Sequence, residues 1–239
     1  MKLRIFAILV ILLFNSKVIL AQKINTTNNM EKPKIIYVYD ALCGWCYGFS
    51  NVITQLEEKY NHIFEFEVIS GGMVRGERIG SISSIAPYIK KAYKDVEQRS
   101  GVKFGEKFIN ETLEDESVIM SSIKPAIALS IIKEKYPERA VKAAAAIQKT
   151  FYLEGLGLDI LENYKKLAML ADMSESEFIN KMQEEKYLGL AEQDFYASHQ
   201  LGVSGFPTLL LEVNGKNYVL SRGFTDYKTL ENQFEKMLK

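Results

Sequence analysis

Cysteine and histidine, the residues that most often carry metal and nucleophile chemistry, are scarce in this chain: it has two of each in 239 residues. A structural zinc site ordinarily takes four ligands. His62 and His199 stand apart from each other and from any second cysteine pair, so they read as surface residues and no metal site is expected. Charge of one sign is missing too. Thirty Lys and Arg balance thirty Asp and Glu, which leaves neither the basic bias of a nucleic-acid binder nor an acidic tail for a charged partner. Internal repeats are absent. What remains, with 47% hydrophobic residues, is enough for one substantial domain with its own core.

Long apolar runs are also lacking, with one short exception at the start. Lys2 and Arg4 precede the uncharged run Ile5–Phe14, followed by Asn15-Ser16-Lys17 and then Val18-Ile19-Leu20-Ala21. A basic start, a short apolar stretch and a small residue near position 21 make residues 1–21 a secretory signal peptide or, because Ile19 sits where a small residue is preferred, an uncleaved N-terminal anchor. The run falls short of the roughly twenty residues that span a bilayer. Both alternatives export the rest of the chain, to the periplasm or another outside compartment, and only the second leaves any contact with a membrane. Residues 22–33 are polar and read as a linker.

Export bears on the cysteines. An oxidising compartment favours disulfides, and the two cysteines, Cys43 and Cys46, are separated by only two residues. A bridge closing so short a loop restrains the unfolded chain very little. A structural motive is weak, so a chemical one is expected.

The pattern around the pair places it. Ile35-Ile36-Tyr37-Val38-Tyr39 is a β-branched and aromatic run that reads as a buried strand. Phe49, Val52, Ile53, Leu56 and Tyr60 then recur at helical spacing. Phe64–Ile69 alternates like a second strand and stops at Gly71-Gly72. The middle, 74–200, reads as helical, with Pro125 opening one helix and Pro137 the next. Asp159 with Glu162 and Ser174 with Glu177 suggest capping boxes, and a last helix is expected from about Leu188 to Leu201, stopped by Gly202. Thr208–Val213 reads as a strand, Asn214-Gly215 as a tight turn, Lys216–Leu220 as the returning strand, and Thr225 as the cap of a final helix.

Residues three apart at a helix start lie on one face, at a separation a disulfide can bridge. Cys43 would meet unpaired backbone N–H groups and the positive end of the helix dipole, both of which favour thiolate. Cys46, one turn inside, would be less exposed and less acidic. Cys43 is therefore the expected nucleophile and Cys46 the resolving thiol. Between them Gly44 permits close approach of a substrate backbone, and Trp45 offers an apolar surface beside the sulfur. Neither supplies a cation.

Asp40-Ala41-Leu42-Cys43-Gly44-Trp45-Cys46-Tyr47, the helical stretch with Phe151-Tyr152-Leu153-Glu154-Gly155, and Gly202-Val203-Ser204-Gly205-Phe206-Pro207-Thr208 together resemble the DsbA-like family of thioredoxin-fold thiol–disulfide oxidoreductases. The resemblance spans about 34–239. It implies an α/β, thioredoxin-like fold made of 34–73 and 201–239, with a large all-helical insertion at 74–200. It also implies a cis Phe206–Pro207 bond facing the cysteines, with the Phe206 backbone free to pair with an extended substrate. Asp40 would lie near the dithiol, either accepting a proton from Cys46 or serving as a plain strand-end turn residue. Gly71-Gly72-Met73 would line the same groove or pack beneath the insertion. Such an enzyme acts on proteins with cysteines, needs a redox recycling partner, and uses no cofactor beyond its dithiol. Oxidising members carry Pro-His where this chain has Gly44-Trp45, so oxidase, isomerase and reductase all stay open. The related kappa-class glutathione transferases and chromene-carboxylate isomerases are the alternative; they commonly lack the second cysteine.

Overall fold

Strand β1 (Lys34–Tyr39) is buried at every position after Lys34, the pattern of a strand covered on both faces. In the computed structural model, which describes residues 32–238, β1 lies at the centre of a four-stranded sheet. It pairs in parallel with β2 (Glu65–Ser70) and antiparallel with β5 (Thr208–Val213). Strand β6 (Lys216–Arg222) pairs antiparallel with β5 and closes the order β2-β1-β5-β6. The proposed leader and most of the linker lie outside the described residues. Among those described, no helix is long and apolar enough to cross a membrane.

Helix α1 (Gly44–Tyr60) follows β1 through a short turn and buries Phe49, Val52, Ile53, Leu56 and Tyr60 against the sheet, the stripe its periodicity predicts. The chain returns through α1 into β2 parallel to β1, which makes a β–α–β unit. The insertion comes next: α2 (Ala86–Ser100), α3 (Glu106–Asn110), α4 (Ile123–Lys135), α5 (Ala140–Tyr152), α6 (Glu175–Lys181) and α7 (Glu185–Gln200). It also contains a two-residue antiparallel pairing between β3 (Gly80–Ser81) and β4 (Ile119–Met120). Helix α8 (Tyr227–Met237) ends the chain, with Phe234 packed on Tyr60 and Phe64. One hydrophobic cluster joins α1, the insertion and α8 on one side of the sheet. A smaller one, Ile36, Val38, Ile69 and Leu210, faces Ala197, Leu201 and Val203 on the other.

Local expectations divide by how locally they are decided. Asn214 and Gly215 both take positive φ, 51° and 71°, the paired left-handed geometry of a two-residue hairpin turn. Ser174 caps α6 by accepting from the Glu177 N–H, as its spacing predicts. The other box does not form. Residues Leu161–Ala171 make a long 3₁₀ segment whose cap position falls on Ile160, and the side chain of Asp159 caps nothing there. Helix α7 starts at Glu185, three residues before the expected Leu188. The last helix is capped by Asp226, not Thr225: its carboxylate accepts from the Thr229 N–H. An aspartate and a threonine side by side are both competent caps, and the backbone bend selects between them.

Candidate active site

Cys43 is the N-cap residue of α1, with an extended backbone (φ −91°, ψ 111°) and a side chain that makes no capping bond. Its own carbonyl accepts the first helical N–H groups, from Cys46 and Tyr47. No acidic residue occupies the first turn, so nothing on the helix itself offsets the positive end of the dipole at Cys43. Cys43 is 8% exposed, whereas Cys46 is fully enclosed. Both are free thiols. The Cys46 thiol hydrogen-bonds the Cys43 sulfur and lowers the Cys43 pKa, helped by the Cys46 and Trp45 backbone N–H groups against the opposing effect of burial. Burial pushes Cys46 well above the ordinary thiol range, and the neighbouring Cys43 charge pushes it further. One thiol is primed and the other is held back.

The loop before β5 closes over this pair. Phe206–Pro207 is a cis peptide bond, and the Phe206 carbonyl accepts from Cys43 Sγ at 3.5 Å. The Pro207 carbonyl is anchored by the Gly223 N–H at 2.7 Å, and the Thr208 hydroxyl by the Gly205 carbonyl. The Phe206 ring lies on Gly71, where any Cβ would overlap its Cε1 and Cζ atoms. Gly71 thus carries a requirement that the sequence offered only as a glycine pair. Gly72 adds a positive φ of 68° and close neighbours in Arg75 and Phe195.

Asp40 is 2% exposed. One carboxylate oxygen accepts from the Leu42 N–H and the Ser122 hydroxyl, the other from the Met73 N–H at 2.7 Å. Its carbonyl accepts from the Cys43 N–H and from Gln148 Nε2. One residue therefore ties the turn before Cys43 to the segment after β2 and to the insertion. Burial raises its pKa, and these donors pull it back down. Its charge in turn raises both cysteines. These bonds make Asp40 a turn residue at the end of β1, and none of them joins its carboxylate to the Cys46 sulfur expected to give it a proton.

Trp45 is half-buried and packs on Phe224, with ring centroids 5.8 Å apart. It also lines a pocket of about 290 Å³ with Cys43, Met73, Tyr88, Ile89 and Tyr152. The structure thus brings Cys43, Cys46, Phe206, Pro207, Asp40 and Trp45 to one place, and leaves His62 and His199 exposed elsewhere. Sequence reasoning missed Ser122 and Gln148, the partners of Asp40, and the α2 wall of the pocket. Nothing in local spacing marks them.

No family model and no curated protein sequence matches the chain. Solved structures do. A putative protein disulfide isomerase from Nitrosomonas europaea superposes with TM-score 0.74 at 25% identity, over 87% of this chain and 98% of its own. The cytosolic disulfide reductase DsbM from Pseudomonas aeruginosa gives 0.73 at 23%, over 86% and 98%. A probable DsbA oxidoreductase from Streptomyces coelicolor gives 0.64 at 14%, over 86% and 90%. The chain has the DsbA-like thioredoxin fold. These neighbours act on disulfides, and a dithiol at the start of α1 is consistent with an enzyme of that kind.

Proposed function

We propose that this DsbA-like protein exchanges thiols and disulfides with cysteine-bearing proteins, with Cys43 as nucleophile and Cys46 as resolving thiol. The opposed acidities of the two sulfurs carry this reading. In the reducing direction the Cys43 thiolate attacks one sulfur of a substrate disulfide, and the other sulfur leaves as a thiolate that takes up a proton. Cys46 then gives up its proton and attacks Cys43 Sγ. The substrate's second sulfur departs as a thiol, and a Cys43–Cys46 disulfide remains. Two electrons have passed to the substrate, and a separate redox partner must return them. Oxidation runs the same steps backwards.

Asp40 serves here as a positioning residue. It fixes the turn that aims Cys43, and its charge opposes ionisation of both thiols. An extended substrate would pair with the backbone at Phe206, in the manner of strand addition, while Trp45 and Pro207 flank the sulfur. The leader-like start and polar linker support an exported location and exported substrates, with membrane contact only if the start is retained. A glutathione-dependent transferase or isomerase is the weaker reading, because such an enzyme has no use for a second, suppressed thiol beneath the first.

Insulin reduction and disulfide-coupled refolding, run on the wild type, Cys43→Ser and Cys46→Ser, test the proposal. Cys43→Ser should abolish both activities, and Cys46→Ser should accumulate mixed disulfides. Activity that survives Cys43→Ser would sink it. Equilibration in graded glutathione buffers then fixes the direction: a low potential marks a reductase, a high one an oxidase.

A further inference from the structure

The arginines of this electrically neutral chain are unevenly used. Beyond Arg4 there are five: Arg75, Arg78, Arg99, Arg139 and Arg222. Arg139 pairs with Asp172. The other four are exposed and join no ion pair among the described residues. Two of them, Arg78 and Arg99, touch residues that line the pocket beside Cys43. Arg78 donates to the carbonyl of Met73, which lines the pocket beside Cys43. Arg75 lies over Phe195 behind Gly72. Arg222 stands opposite Thr208, next to Pro207, in the β5–β6 register.

Arg99 is the best positioned. It sits in the last turn of α2, with its guanidinium 5.0 Å from the Trp45 ring centroid and 5.6 Å from that of Phe224. Cation–π attraction to two aromatic rings holds the planar group at Trp45, one of the two residues between the cysteines. Attraction to ring faces uses none of the guanidinium N–H groups in a hydrogen bond, and those groups match a carboxylate in a two-pronged fit. Two acidic residues precede it in the later turns of the same helix: Glu97 accepts from the Phe104 N–H and pairs with Lys103, and Asp95, one turn back, is exposed and joins no ion pair with Arg99 among the described residues.

We propose that Arg99 is a specificity-determining residue that pairs with a carboxylate flanking the reacting disulfide, so that acidic substrates react faster than neutral or basic ones. The proposal rests on Cys43 being the nucleophile. The carboxylate could belong to an acidic protein segment or to a small carboxylate-bearing disulfide such as oxidised glutathione, since both present the same group.

The test uses the full chain and disulfide peptides that are identical except for Glu, Gln or Lys beside the cystine. Rates are measured for the wild type, Arg99→Gln, Arg99→Lys and Arg99→Glu, at low and high salt. The wild type should prefer Glu over Lys peptides by about three- to fivefold at low salt, the scale of an exposed ion pair. High salt should weaken that preference. Arg99→Gln should erase it, Arg99→Lys should keep part of it, and Arg99→Glu should invert it. A purely structural loss at Trp45 would slow all peptides alike and leave the ratio intact. Oxidised glutathione against its carboxyl ester forms a second arm. A preference confined to glutathione assigns the carboxylate to a small molecule, and one seen in the peptides assigns it to protein. Equal rates for Glu and Lys peptides in the wild type together with equal rates for glutathione and its ester, or a preference that persists in Arg99→Gln, would overturn the proposal. Failure of every peptide to exchange would instead sink the assignment of Cys43.

Discussion

The Phe206 ring rests directly on the bare backbone of Gly71, at the end of a loop whose carbonyl reaches the Cys43 sulfur at 3.5 Å. A side chain at 71 must therefore displace the ring, which is carried by the loop beside Cys43. Gly71→Ala should lower stability by about 1–3 kcal/mol, the cost of overpacking a filled site, and should slow disulfide exchange. Adding Phe206→Ala vacates the space and should recover most of the lost stability. Chemical denaturation of the three variants measures this, and additive losses in the double variant would disprove the steric link.

The largest influence lowering the Cys43 pKa is the hydrogen bond from Cys46. Thiolate absorbance in the reduced protein should therefore rise with a midpoint below the free-cysteine value of about 8.5, while Cys46 stays protonated well past it. Cys46→Ala removes the donor and should move the Cys43 midpoint upward. A midpoint that does not move would assign the effect to the backbone N–H groups alone.

Asp40→Asn separates charge from hydrogen bonding. The amide keeps one acceptor oxygen, but its NH₂ must meet a backbone or hydroxyl donor now bonded to the carboxylate. Loss of about 1–3 kcal/mol is expected from the unsatisfied groups. The Cys43 midpoint should fall, because the carboxylate charge that opposes thiolate is gone. A rise in that midpoint would show that Asp40 acts through geometry alone.

Burial on α1, with the Glu58 charge beside it, lifts Glu57 to about 7. A raised carboxyl pKa means the folded state holds its proton where the unfolded chain, titrating near 4.3, has released it. Its stabilising contribution is then present below about pH 4 and is lost as pH rises toward about 7. Glu57→Gln should flatten that part of the stability–pH curve, gaining on the wild type at pH 8 relative to pH 5. Parallel curves for the two proteins would rule the effect out.

Legibility followed distance along the chain. The strand before the cysteines, the α1 stripe and the Asn214-Gly215 turn are encoded in neighbouring residues, so alternation, helical spacing and turn chemistry exposed them. Helix starts were less secure wherever two competent caps stood close together, as at Thr225 and Asp226, because propensity ranks both and only the bend of the chain chooses. The partners of Asp40 were beyond reach: Ser122 lies 82 residues away and Gln148 108 residues away, and neither belongs to a pattern.

The sequence by itself determined the dithiol. Two cysteines three positions apart, after a buried strand and at the start of an amphipathic helix, can do little but share a face at a positive helix end. Tertiary structure decided what surrounds each sulfur of the pair. It buried Cys46 and left Cys43 at the surface of a pocket. It brought the Phe206 carbonyl to the Cys43 sulfur from 163 residues away, and it laid Arg99 of the insertion across Trp45. Periodicity reports which face of an element is covered. It does not report what covers it, because that depends on contacts closed by long loops, and at this site those contacts set the acidity and the surroundings of the Cys43 sulfur.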